Sequence, residues 1–159
     1  MGITPEDREL WDAVVAAEGE AVRARAAFHQ QASARAEVLS EALRADGVSA
    51  VHALSFLGHL SDDVPLLTEQ LVGRVLSVRT ALAAKQALER ASWSEENRLE
   101  IRRIVEGHLP TADEDEWRRL GELLWYIRDV EALRHLVDRA AASEDPAVRE
   151  AAEDLAEWL

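Results

Sequence analysis

Apolar residues recur every three or four positions along almost the whole chain. The first such stripe contains Leu10, Val14, Ala17, Ala21, Ala24 and Phe28. This spacing returns side chains to one face of an α-helix, whereas the alternation typical of a half-buried strand never persists. β-Branched residues are also sparse. The pattern therefore predicts an all-α fold that is helical from end to end, with short connections.

Residues that favour helix N-termini mark most of the predicted helix starts. These starts lie at Thr4-Pro5, Ser61-Asp62-Asp63, Ser92-Trp93-Ser94, Thr111 with Glu114, Asp129, and Ser143-Glu144-Asp145-Pro146. Side-chain oxygens at such positions accept hydrogen bonds from free backbone N–H groups, and proline fits the first turn. Short connections between the resulting helices favour packing as antiparallel neighbours.

The segment between Thr4 and Ala45 allows either one helix or two. A single helix would be about 60 Å long. Its apolar stripe weakens after Phe28, and Asp46-Gly47 is the next clear stop. We therefore favour two helices with a break near residues 29–31.

Two parts of the chain are similar to each other. The segment from Asp63 to Leu88 can be aligned, with small gaps, on the segment from Asp129 to Leu155. Both begin with Asp-Val, continue with Leu-Val two residues before an arginine, and reach Val-Arg-x-Ala. The two starts are about 66 residues apart, which leaves room for two helical repeats of about 33 residues.

The second of these segments contains a recognisable phrase, Asp145-Pro146-Ala147-Val148-Arg149, followed by Ala152 and Leu155. With the leucines before it, residues 136–159 resemble the HEAT-like repeats of bacterial α-solenoid proteins. Asp145 fits the N-cap and Pro146 the first turn, and Asp145 and Arg149 have the spacing of an ion pair along a helix. The resemblance is weaker over 49–90 and poor over the first 46 residues, so an irregular helical bundle is the alternative.

The resemblance implies antiparallel helical hairpins stacked as a short HEAT-like right-handed solenoid. Residues 1–46 would form an N-terminal helical hairpin or long helix, and 47–159 the repeats, within one continuous domain. The last helix would then be a terminal cap, because its outer face is charged. Its inner face would pack on residues 130–142 through Val148, Ala151, Ala152, Leu155 and Leu159.

The chain is strongly acidic, with 31 acidic against 18 basic residues, a formal charge of -13 and Lys85 as its only lysine. Nucleic-acid binding needs cations along the phosphate path and is disfavoured. A basic protein partner suits this charge, although solubility alone also explains it.

The absence of cysteine excludes disulfides and cysteine-bound zinc. No apolar run reaches the ~20 residues of a membrane span, and no signal peptide is visible, so we expect a cytoplasmic protein without a membrane partner.

No motif indicates catalysis, a cofactor or a metal. The sequence contains neither a Gly-x-Ser-x-Gly elbow nor a glycine-rich phosphate loop. His52 and His59 are two helical turns apart, about 10.5 Å, which is too far for one metal ion. The carboxylates are so numerous that their proximity indicates nothing. We therefore predict no catalytic, cofactor or metal site and favour a non-enzymatic protein.

Two features are candidates for partner binding. The acidic run Asp113, Glu114, Asp115 and Glu116 is either a contact patch for a basic partner or ordinary charge at a helix N-terminus. Trp125 and Tyr126 both fall off the stripe of their helix, so one of them is expected on the surface as a binding hot spot. A set of arginines forms either an anion groove or salt-bridged helix faces: Arg102, Arg103, Arg118, Arg119 and Arg139.

Three functions are compatible with these features. The favoured one is a protein-binding helical repeat domain, in its specific version an inhibitor or immunity-type protein against a basic partner. The second is a small HEAT-like enzyme or ligand-binding protein, of the DNA-glycosylase or lyase kind. The third is an oligomeric scaffold in which the alanine-rich helix Glu6–Phe28 pairs with itself.

Overall fold

The fold is all-helical. The structure is a computed structural model that describes residues 2–159, and among these it contains no strand. The helices within the described residues are α1 (Pro5–Gln31), α2 (Arg35–Arg44), α3 (Val48–Leu57), α4 (Thr68–Leu76), α5 (Ala81–Arg90), α6 (Glu95–His108), α7 (Glu114–Tyr126), α8 (Val130–Ala141) and α9 (Pro146–Ala156). Short 3₁₀ helices occupy Ser61–Leu67 and Leu109–Thr111. The all-α prediction is confirmed, as is the break between two helices after Gln31.

Contacts divide the chain into two compact units, one up to Arg35 and one from Ala36 to Leu159. The domain division predicted from the sequence, at 46 and 47, stays a prediction. The first unit consists mainly of α1. Its N-terminus carries a capping box in which Thr4 Oγ1 accepts from the Asp7 N–H at 3.1 Å and Asp7 accepts from the Thr4 N–H at 2.9 Å. Hydrogen bonds from the Thr4 hydroxyl and N–H lower the pKa of Asp7.

The second unit holds the buried core. Leucines from nearly every helix are fully buried there, including Leu43, Leu57, Leu71, Leu88, Leu120, Leu133 and Leu155. Helix α4 packs against α5, α6 and α7, while α9 packs against both α7 and α8. Burial of these aliphatic side chains is the main stabilising contribution of this unit.

Some helix starts differ from those expected. The start expected at Ser61 belongs to a 3₁₀ helix, and α4 begins only at Thr68. Pro65 explains this, because it lacks an N–H and disfavours α conformation at the residue before it. The cap of α7 is Asp113, paired with Glu116 in a capping box, rather than Thr111, which lies in the second 3₁₀ helix.

Helix α9 follows its prediction closely. Asp145 caps it by accepting from the Ala147 N–H at 2.9 Å, and Pro146 occupies the first turn. The expected inner face is buried except for Leu159, which is exposed. The expected pairing of Asp145 with Arg149 is absent from the described ion pairs; Arg149 instead donates to the Ser143 and Glu144 carbonyl oxygens at 2.8 and 2.9 Å.

Gly121 on α7 allows the close approach of α9. A Cβ added at this position would lie under 3.0 Å from both methyl carbons of Leu155, which is fully buried. The absent side chain is therefore what lets these two helices pack together.

We expect Gly121→Ala to destabilise the chain by about 1–2 kcal/mol, because overpacking a core costs more than the gain in helix propensity. Gly73→Ala is the matched control, since no atom lies within 4 Å of the Cβ position on this exposed part of α4. The control should be stabilised by about 0.5–1 kcal/mol. Urea denaturation followed by circular dichroism measures both, and equal stabilisation of the two variants would contradict close packing at Gly121.

Candidate functional site: an aromatic surface on α7 and α9

Two tryptophans meet on the surface of the second unit. Trp125 at the end of α7 is 51% exposed and Trp158 beyond α9 is 41% exposed, and their ring centroids are 5.8 Å apart. Tyr126 is half-buried and packs edge-on against Trp125, with 5.7 Å between centroids. We call Trp125, Tyr126 and Trp158 the aromatic surface. The sequence predicted that either Trp125 or Tyr126 lies on the surface. The role of Trp125 as a binding contact stays a prediction.

A buried lysine supports the aromatic surface from α5. Lys85, on α5, is buried, and its Nζ donates to Glu122 Oε2 on α7. The same ammonium group lies 5.3 Å from the centroid of the Tyr126 ring, where a cation–π attraction operates. Glu122 and Tyr126 are one helical turn apart. Lys85 thereby joins α5 to the part of α7 that carries Trp125 and Tyr126.

Helix α7 ends immediately after the aromatic surface in a turn that has a left-handed residue. Arg128 has φ 58°, and the Asp129 N–H donates to the Leu124 carbonyl oxygen at 2.9 Å while the Arg128 N–H donates to that of Trp125 at 3.0 Å. This pair of bonds is the Schellman arrangement that closes helix C-termini. The turn also places Asp129 at the N-cap of α8.

Asp129 is the most heavily bonded carboxylate of the turn. It is buried, accepts from the Ala132 N–H at 3.2 Å, and receives two hydrogen bonds of 2.8 Å from the Arg102 guanidinium on α6. Hydrogen bonding to Asp129 raises the pKa of Arg102, with Glu131 adding a smaller contribution. Arg98, one turn earlier on α6, donates to the Ile127 carbonyl oxygen at 3.2 Å. Two arginines of α6 thus hold the turn that directly follows Trp125 and Tyr126.

Exposed carboxylates precede Trp158 along the chain. The outer face of α9 and the residue after it carry Glu150, Glu153, Asp154 and Glu157, all exposed. Asp154 accepts from Arg118 at 3.0 Å, whereas no described ion pair involves the three glutamates. The surroundings of the aromatic surface on this side are therefore acidic.

The acidic run 113–116 lies at the other end of α7, about 14–18 Å along the helix axis from Trp125. Asp113 and Glu116 form the capping box of α7, and Asp115 pairs with Arg119 at 3.3 Å. Glu114 is half-buried. The structure does not bring these residues together with Trp125, and the local bonds show that three of the four stabilise the helix start.

The arginines that could have lined an anion groove are all paired with carboxylates. The pairs are Arg102 with Asp129, Arg103 with Glu100, Arg118 with Asp154, Arg119 with Asp115, and Arg139 with Glu106. Arg102 has Glu106 one turn away on its own helix, but it pairs with Asp129, the N-cap of α8. These contacts favour the interpretation as salt-bridged helix faces.

Two clefts border this region, and the sequence indicated neither. One of about 420 Å³ lies between α6 and α8 and has residues of both charges on its walls, including Arg102, Glu106, Glu131 and His135. The other, about 430 Å³, is lined by Arg90, Arg98, Arg128, Trp93 and Tyr126. Arg90 and Arg98 there use their guanidinium groups to bond carbonyl oxygens at the ends of α3 and α7. Among residues 2–159, no group of three or more His, Asp or Glu side chains is placed to hold a metal ion.

No protein-family model, curated protein or solved structure matches the chain. No helix in the described part of the chain is both long enough and apolar enough to cross a membrane.

Proposed function

We propose that this chain is a non-enzymatic, protein-binding helical domain whose contact surface is centred on Trp125 and Trp158. The observation that carries the proposal is the pair of half-exposed indole rings, 5.8 Å apart, with exposed carboxylates on the turns of chain that precede Trp158. Tryptophan is among the residues that contribute most to binding at protein interfaces. Two adjacent rings offer a large apolar area at one point of a strongly charged surface.

The support beneath the rings favours tight binding. Trp125 packs against Tyr126, and Lys85 holds Tyr126 and Glu122 from α5. A side chain that is already ordered before binding loses less conformational entropy when a partner covers it. The aromatic surface is therefore suited to act as a preformed anchor.

We propose a basic protein as the partner. The chain carries a charge of -13, and Glu150, Glu153 and Glu157, which precede Trp158 along the chain, are exposed and belong to no described ion pair. Arginine side chains of a partner would interact with both the carboxylates and the faces of the indole rings. An inhibitor or immunity-type protein against a basic toxin or enzyme fits this combination. The run from Asp113 to Glu116 would contribute long-range attraction rather than a direct contact.

The HEAT-like solenoid is our proposal for the architecture of the second unit. Its support is the packing of α7, α8 and α9 on one another and the observed caps at Asp129 and Asp145. In such an array one face of successive helices is available to a partner.

We expect Trp125→Ala to weaken partner binding by about tenfold or more, as is typical of tryptophan hot spots, while changing the free energy of unfolding by only about 1 kcal/mol. The test is a pull-down from native lysate with the immobilised full chain, identification of captured proteins by mass spectrometry, and titration of the purified partner. Leu99→Ala is the matched control, because it truncates an exposed apolar residue of α6 outside the aromatic surface.

The proposal requires a basic partner that binds the wild type and the Leu99→Ala variant equally, and whose affinity falls as salt rises. Trp158→Ala should reproduce the loss seen with Trp125→Ala. A partner that binds Trp125→Ala and Trp158→Ala as well as the wild type, or the absence of any stoichiometric partner, would overturn it.

A further inference from the structure

Three arginines converge on one cleft of the second unit. Arg90 is the last residue of α5, Arg98 lies on α6, and Arg128 follows α7. The cleft has a volume of about 430 Å³, and its walls also contain Trp93 and Tyr126. This volume is within the range of sites for small organic molecules. The cleft therefore combines guanidinium groups and aromatic rings in a space of the size that such a ligand occupies.

Two of the three guanidinium groups are held in place by backbone carbonyl groups. Arg90 Nη1 donates to the Gly58 carbonyl oxygen, and Arg98 Nη1 donates to the Ile127 carbonyl oxygen at 3.2 Å. No ion pair described for residues 2–159 involves either arginine or Arg128. A guanidinium group has five N–H donors, so most of those on Arg90 and Arg98 remain available to a ligand.

The negative charge at this cleft is smaller than the positive charge. Glu89 is the one carboxylate among the described residues that line it, and this residue is exposed. The C-terminal ends of α3, α5 and α7 add partial negative charge, about half an elementary charge each at most. Their carbonyl groups already accept hydrogen bonds from Arg90, Trp93 and Arg98. The charge of Arg128 is left without such a bond.

The hydrogen bonds of the fold do not require an arginine at position 128. Its φ of 58° lies in the left-handed region, where a residue with a Cβ is strained and glycine is not. Glycine is also the usual residue at this position of a Schellman turn. The side chain is exposed, and no described hydrogen bond of its guanidinium group offsets the strain. Strained residues of this kind concentrate at sites that bind ligands.

We propose that this cleft binds the phosphate group of a small phosphorylated compound that also has an aromatic ring. A phosphate monoester carries a charge of about −1.5 to −2 at neutral pH, so it suits several guanidinium groups better than a carboxylate does. The Tyr126 hydroxyl, which makes no described hydrogen bond, is a further donor, and Trp93 supplies apolar surface for the ring. Tyr126 also belongs to the aromatic surface, but the site does not depend on the protein partner proposed above.

Isothermal titration calorimetry of the full-length chain tests the proposal with three compounds: adenosine monophosphate, adenosine and inorganic phosphate. The first has both the ring and the phosphate group, and each of the others lacks one of them. We expect adenosine monophosphate to bind at least about tenfold more tightly than either, and to shift the nuclear magnetic resonance signal of the Trp93 indole N–H. The absence of saturable binding at millimolar concentrations would overturn the site. Adenosine binding as tightly as its monophosphate would overturn the role of the phosphate group, and inorganic phosphate doing so would overturn that of the rings.

Arg128→Gly separates ligand binding from folding. Glycine suits the left-handed backbone, so the variant should unfold at a urea concentration no lower than the wild type. Its dissociation constant for adenosine monophosphate should rise by about tenfold or more. Arg134→Ala is the matched control, because it removes the same charge from an exposed residue of α8 outside this cleft and should leave the affinity unchanged. If Arg128→Gly binds as tightly as the wild type, or Arg134→Ala loses as much affinity, the assignment of the site to this cleft is wrong.

Discussion

Replacing Asp129 by alanine is expected to lower the free energy of unfolding by about 3–4 kcal/mol. Asp129 is only 3% exposed, caps α8, and binds the Arg102 guanidinium through both carboxylate oxygens. Its removal leaves an N-terminal N–H group of α8 without its acceptor and a partly buried cation without its main partner. This cation does not escape the loss by giving up its proton, because arginine stays protonated in proteins.

Two features keep the expected loss below that of a fully buried pair. The Arg102 side chain is 27% exposed, so water reaches part of it, and it retains an ion pair with Glu131 at 3.1 Å. Both reduce the cost of leaving the charge without Asp129. Urea denaturation at neutral pH, followed by circular dichroism and tryptophan fluorescence, gives the free energy, and coincident transitions establish two-state behaviour.

Two control variants separate the contributions. Asp129→Asn retains an oxygen for the Ala132 N–H and loses the charge, so it should cost less than Asp129→Ala. Glu131→Ala removes a carboxylate that is 83% exposed and should cost under about 1 kcal/mol. If Asp129→Ala proves no more costly than Glu131→Ala, the importance assigned to the buried bidentate bond is wrong.

The features that the sequence predicted well are local. The caps at Thr4, Asp129 and Asp145 follow from side chains that bond backbone groups two or three residues away. The break after Gln31 follows from the fading stripe beyond Phe28. Such signals need no knowledge of tertiary structure, because the residues involved are neighbours in the chain.

The partners of charged side chains were much harder to predict. Arg102 had a carboxylate one turn away at Glu106, yet it binds Asp129, 27 residues further along the chain. A local pair on an exposed face contributes little, whereas a bidentate bond to a buried carboxylate contributes more. Which carboxylate is buried depends on how α6 and α8 pack, and periodicity alone does not determine this.

The aromatic surface was predictable only in part. Because Trp125 and Tyr126 both fall off their helix stripe, one of the two was expected on the surface, and Trp125 is the one that is exposed. Its contact with Trp158 joins residues 33 positions apart, and no pattern in the sequence connects them. The acidic run 113–116 is the densest group of carboxylates in the sequence, but three of its four side chains bond to groups at the start of α7.

The pair of Lys85 and Glu122 should respond asymmetrically to the removal of either partner. Lys85 has a side-chain exposure of 8%, whereas that of Glu122 is 36%. Glu122→Ala leaves a buried ammonium group with only the Tyr126 ring as its described charge partner. We expect this change to lower the free energy of unfolding by about 2 kcal/mol. The loss is smaller than that for a fully buried pair, because water reaches Glu122. Lys85→Met leaves a carboxylate that water can hydrate and fills the space of the lysine with an apolar side chain. We therefore expect it to lower the free energy of unfolding by only about 1 kcal/mol.

The double variant provides the decisive comparison. Once Lys85 is methionine, Glu122→Ala no longer strands a buried charge, and the two changes together should cost about as much as Lys85→Met alone. A coupling free energy of about 1–2 kcal/mol, obtained from urea denaturation of the four proteins, would confirm the asymmetry. Additive losses would show that the pair contributes through packing and not through charge.

Lys85 also contacts Tyr126, so Lys85→Met should weaken partner binding at Trp125 more than Glu131→Ala does. Equal affinities of the two variants for the partner would show that Lys85 does not support binding at the aromatic surface.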